Sequence, residues 1–247
     1  FIDIGINEAI WLNASAEDMV GQVRLARKLH PEIKSTKRLN VHFARMGEPL
    51  FNQSVVLAAH IMRAIFPHDL YGFHPVVSTM IPKSLSGDYV KRYLIDWISF
   101  KNVYMEGNAG LQLSINSTSN DARDFMFNGN SKSIEEIANI AEKLPAVKGR
   151  KVALNFALTK YPIDAKHLRS LFDPSQFMCK ITPMHETTGV VNNNMKTDGG
   201  YDYYYPYQQT EDELKEAGFD VLVFIPSKEE DESKITCGNA ILSMMQH

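Results

Sequence analysis

Two periods alternate along the chain. Between Ser15 and His30, apolar residues (Met19, Val20, Val23, Leu25, Leu29) recur at helical spacing, and Ser15 followed by Asp18 has the form of a capping box. Leu39 to Phe43 then reads as a short apolar strand, and a second helix runs from about Gln53 to Phe66, where Pro67 stops it. The alternation continues with a strand from His74 to Thr79, a helix from Asp88 to Phe100 and a strand from Leu111 to Asn116. Ser133 and Glu136 cap a helix to about Leu144, followed by a strand from Lys151 to Ala157, a helix from Asp164 to Phe172 and a strand from Phe177 to Thr182. Thr210 with Glu213 caps a last helix, and Phe219 to Ile225 closes the series as a strand.

Strands starting near residues 39, 75, 111, 151, 177 and 219 are separated by roughly thirty to forty residues, the size of one βα unit. That repeat predicts an α/β fold with a parallel sheet covered by helices. One domain is expected over residues 1–247, because no Pro/Gly/Ser linker divides two composition regimes. The irregular stretch from His185 to Gln209, rich in Asn, Gly and Tyr, is long enough inside a compact α/β domain to suggest a functional loop. Whether the sheet is open or barrel-like, ligand sites in such folds lie at the carboxyl ends of the strands.

That rule gathers five segments at one mouth: Arg45 to Leu50, Ser78 to Met80, Ser114 to Asn116, Thr182 to His185, and Cys237 to Asn239. Glu48 stands between Gly47, where backbone can approach closely, and Pro49, which fixes the turn. Its carboxylate suits an amine, and Ser78, Ser114 and Asn116 suit a polar ligand. Singly, a Gly-Glu-Pro turn is also an ordinary turn, and a serine at a strand end also caps the next helix. The common placement of all five is what singles them out.

Composition narrows the classes. Hydrophobic residues make up 44% and charged residues 22%, with a formal net charge of −3, an ordinary globular balance without a global nucleic-acid footprint. Any RNA contact would come from a local patch such as Lys34 to Arg38, which on charge alone reads more readily as a solvated loop before a strand. Two cysteines argue against a disulfide scaffold and fit a reducing, cytoplasmic compartment. No apolar run is long enough to span a bilayer, and the first residues lack the pattern of a signal peptide. The sequence opens at Phe1 without Met, and further residues upstream are expected.

In order along the chain, AEDMVGQV, ARMGEPLFN, VVSTMIP, LSINSTSNDAR, CKITPMH and ITCGNAIL resemble segments of the radical S-adenosylmethionine (SAM) methyltransferases that modify adenine in ribosomal RNA, the RlmN/Cfr type. The resemblance runs from about residue 15 to 242. It implies a partial (β/α)6 barrel of the radical SAM type, with SAM and a [4Fe–4S] cluster as cofactors, an RNA substrate, an electron donor for the cluster and no membrane partner. Gly47 and Glu48 match the motif that holds the SAM amine, a pairing of carboxylate with ammonium. Ser78, Ser114, Ile115 and Asn116 match residues that line SAM, with Asn116 where the family has His, and His185 stands where the family has Asn.

Cys237 matches the cysteine that carries the methyl group. In the family one SAM methylates that thiol, and a radical made from a second SAM activates the methyl for attack on an adenine carbon. The role needs a mobile, ionisable thiol, which a turn beside Gly238 would supply. Cys179, in the middle of a strand, reads as structural. The family's three-cysteine cluster motif has no counterpart here; its last cysteine would fall at about Phe1 to Asp3, so the cluster ligands either precede Phe1 or have been lost. Two other readings stay open: a related radical SAM enzyme with another substrate, suggested by the YDYYYPY stretch at residues 201–207, and a cluster-less binder of SAM or a nucleotide. Aromatic residues in that stretch could stack bases or pack on the barrel rim.

Overall fold

The computed structural model describes residues 12–44, 47–66, 72–183 and 206–225. Six strands, β1 (Leu39–Phe43), β2 (Phe73–Thr79), β3 (Gly110–Ser114), β4 (Val152–Leu158), β5 (Phe177–Pro183) and β6 (Val221–Val223), form one sheet in chain order. Every neighbouring pair is parallel. Helix α1 (Ala16–Leu29) precedes the first strand, and between the strands lie α2 (Ser54–Ile65), α3 (Gly87–Ser99), α4 (Asn120–Met126), α5 (Ile134–Ala141), α6 (Ala165–Leu171) and α7 (Gln208–Glu216), with a 3-10 turn at Pro49–Phe51. This is the expected α/β partial (β/α)6 barrel.

The sequence's caps explain where most helices start. Ser15 with Asp18 and Ser133 with Glu136 form reciprocal capping boxes, and Ser86, Ser119 and Asp164 each accept a backbone N–H of the first turn. Three expectations are corrected. Thr210 lies inside α7, whose N-cap, Tyr207, makes no side-chain cap bond. The last strand spans three residues instead of seven. Leu25 and Leu29 of α1 are 55% and 67% exposed, because only the first half of that helix meets the core, through Ala16, Met19, Val20 and Val23. A further departure is the π-helical extension of α3 over Phe100–Tyr104. There the buried Lys101 donates to the carbonyl oxygens of Gly107, at 2.7 Å, and Lys148.

Register divides the sheet into two unlike faces, since aligned residues of neighbouring parallel strands point to the same side. Val77 aligns with Leu111, Leu113 with Leu154, and Leu154 with Cys179; all are core residues packed with the helices. One position along, Ser78 aligns with Gln112, Ser114 with Asn155, and Asn155 with Lys180. One face is therefore the hydrophobic core and the other, the barrel interior, is polar.

Candidate functional site

The rim begins with Glu48. Gly47 takes φ 121°, a conformation that favours glycine, and Glu48 then caps the 3-10 turn. One carboxylate oxygen accepts the Leu50 backbone N–H at 3.0 Å and the other the Met80 backbone N–H at 3.0 Å, across from the end of β2. The Thr79 hydroxyl also bonds the carboxyl. Burial pushes the Glu48 carboxyl above its ordinary range, and the hydrogen bonds from Thr79, Leu50 and Met80 oppose that rise. Three donors leave part of the carboxylate's acceptor capacity unused, so the group can still meet an ammonium. Around it, Tyr89 donates to the Leu50 carbonyl at 3.0 Å, and the Tyr93 phenol is held above its usual range by burial and by the neighbouring Glu48 charge.

On the polar face Ser78 donates to Gln112 Oε1 at 3.2 Å, and Asn155 Nδ2 donates to the same oxygen at 2.8 Å. This side-chain bridge crosses β2, β3 and β4. Asn155 Oδ1 is buried with no hydrogen-bond partner, an open acceptor on the polar side of the sheet. The sequence reading selected Ser78 but passed over Gln112 and Asn155. The signal was present as polar residues at alternate positions in LQLS and LNFA, set one position off the buried ones.

At the end of β3 the chain leaves the strand after Ser114. Ile115 is fully buried, so it could offer a ligand only its backbone. The N–H groups of Ile115 and Asn116 donate to the Asn155 carbonyl at 2.9 and 3.0 Å. Asn116 adopts φ 63°, and its Oδ1 accepts the Ala157 N–H at 3.0 Å, which ties β3 to β4 and leaves the amide nitrogen for other partners. Gly47, Glu48, Ser78, Ser114, Ile115 and Asn116 are thus gathered at the carboxyl ends of β1, β2 and β3. His185 and Cys237 lie outside the described residues.

Cys179, at the centre of β5, is fully buried, and burial pushes its thiol up to about 12, as befits a structural side chain. No group of three or more His, Cys, Asp or Glu able to hold a metal exists among the described residues. With two cysteines in the sequence, one of them Cys179, the chain's own residues do not make a three-thiolate cluster site. No described helix is long and apolar enough to cross a membrane. A cavity of about 840 Å³ lies between α5 and α6 beside Val152 and Phe177, at the amino ends of the strands and away from Glu48.

Neither a protein-family model nor a curated protein sequence matches the chain. Among solved structures it is similar to a radical SAM methyltransferase from Sphaerobacter thermophilus, with a TM-score of 0.57 and 16% sequence identity. The match covers 94% of this chain and 63% of the other, so the chain spans less than two thirds of that protein's length. That likeness is one of fold, the partial (β/α)6 barrel described above.

Proposed function

We propose that the chain binds SAM at the rim built by Glu48 and the polar face, and that it serves a methyltransferase acting on an adenine carbon of RNA. The observation that carries the reading is Glu48: a partly buried carboxylate at the strand ends, fixed by two backbone N–H groups, with acceptor capacity left for the SAM amine. Gly47 lets the ligand approach the backbone. Ser78, Gln112 and Asn155 offer hydrogen bonds to its polar middle, and Ser114 and Asn116 border the same space. His185 is assigned to the same ligand from the resemblance of its motif alone. Bound SAM supplies the methyl group, and Cys237 is assigned as the residue that accepts it.

The cluster of the radical SAM family does not fit the residues of this chain, so its ligands would come from sequence outside it. That misfit favours one alternative, a SAM-binding protein without a cluster. The RNA assignment rests on the resemblance of the motifs. Of the tyrosine-rich stretch, Tyr207 packs against the core, which speaks for rim packing at that residue.

The test uses the natural full-length protein, purified without oxygen and assayed for iron, SAM binding and methylation of RNA. SAM binding with bound iron and methyladenosine in the product RNA supports the full reading. Binding without iron selects the alternative, and no binding at all rejects both. Cys237→Ala should abolish product while leaving SAM affinity within about twofold. Methylation that survives the change removes the assignment.

A further inference from the structure

Arg123 is among the largest fully buried side chains, at 1% exposure, and none of its hydrogen-bond partners is a carboxylate. One guanidinium nitrogen donates to the carbonyls of Ile115 and, at 3.4 Å, Ser114; the other donates to Ser131 Oγ at 2.7 Å and to the Lys132 carbonyl at 2.8 Å. Ser131 Oγ in turn donates to the Met80 carbonyl at 2.6 Å. Residues 80–83 run antiparallel beside 130–132, with Lys132 N–H on Ile81 O at 3.0 Å and Lys83 N–H on Asn130 O at 2.7 Å. Met80 is also the residue whose N–H holds Glu48.

A buried cation hydrogen-bonded only to neutral groups, with its Nε unpartnered and the Asp124 and Glu135 charges acting only at a distance, is a poor way to gain stability. A planar fork reaching two segments at once is a good way to fix their spacing. We infer that Arg123 and Ser131 are positioning residues: together they lock the end of β3 to the end of β2 and so set where the Glu48 carboxylate stands relative to residues 114–116. This rests on the reading of Glu48 as the seat of the SAM amine. Arg123 acts through carbonyl groups and Ser131, and touches no ligand itself.

SAM is titrated calorimetrically into the full-length wild type, Ser131→Ala, Glu48→Gln and the double variant. A device acting through Glu48 makes Ser131→Ala cost about fivefold to tenfold in affinity when Glu48 is present, and under about twofold when it is Gln. Equal losses in both backgrounds, or a changed melting temperature with unchanged affinity, overturn the inference. Arg123→Lys keeps the charge but cannot span both segments; it should lose at least as much affinity as Ser131→Ala, and full retention also overturns it. A wild type that binds no SAM rejects the functional reading instead. The positioning role is then decided by ¹³C NMR titration of the Glu48 carboxyl. Its midpoint should rise by about half a pH unit in Ser131→Ala as the Met80 N–H loosens, with Tyr93 neutral throughout. An unmoved midpoint overturns the role.

Discussion

On the helix-covered side of the sheet, Val77, Leu111, Leu113, Leu154 and Cys179 are at most 1% exposed, while one position along the same strands Ser78, Gln112, Asn155 and Lys180 face the barrel interior. Parallel sheets usually bury apolar residues on both faces. Here one face does the work of stability and the other is left polar, with an unpaired amide oxygen that a second core would not tolerate. Core packing and the candidate site are therefore separable by residue, alternating along single strands such as β4, where Leu154 and Phe156 flank Asn155.

The largest test of that separation is thermodynamic. Phe156→Ala should cost about 3–5 kcal/mol in denaturant unfolding, as a buried aromatic lost from a packed core does. Gln112→Ala, one layer across, should cost about 1 kcal/mol or less, the ordinary effect outside the core. Equal costs would break the contrast between faces. Next in size, Glu48→Gln should weaken SAM binding by about ten- to a hundredfold, the loss of one charge-assisted pair. Unchanged calorimetric affinity would place the amine elsewhere.

A smaller effect is pH-linked. The folded Glu48 carboxyl is raised above its ordinary value of 4.5, so the folded chain holds that proton more tightly than the unfolded chain. Stability from this group is complete below that ordinary value and is lost as pH rises through the folded midpoint. The melting temperature of wild type relative to Glu48→Gln should therefore fall across that window. A difference that stays flat, or that rises with pH, sinks the linkage. The smallest effect is chemical. Iodoacetamide should leave Cys179 unmodified in the native protein and label it after unfolding; a native adduct mapped to Cys179 would contradict its burial.

Most of the fold was legible because the caps and periods are local. Ser15, Ser133 and Asp164 announce their helices, and the strands follow from runs of apolar residues. Thr210 misled because its spacing to Glu213 mimics a capping box, while the helix had already started at Gln208. The site was half legible. Glu48 stands out within its own motif, but its partner Met80 is 32 residues away and contributes only a backbone N–H, which leaves no mark on the side-chain pattern. Nothing in the sequence marks Arg123 as buried, because its partners lie in segments that meet only in three dimensions. Gln112 and Asn155 needed the register, which decides that they face Ser78 and each other.

The strand order β1 to β6 repeats the order of synthesis. Each strand emerging from the ribosome finds its partner already made, so the sheet can lengthen one unit at a time with short loop closures at every step. The rim inherits the same schedule. Glu48 waits for Met80, Met80 waits for Ser131, and the Asn155 carbonyl then receives Ile115 and Asn116. A chain stalled after α5 would already carry Glu48 braced through Met80 and Ser131, while one stalled before α4 would carry Glu48 without the brace that fixes it.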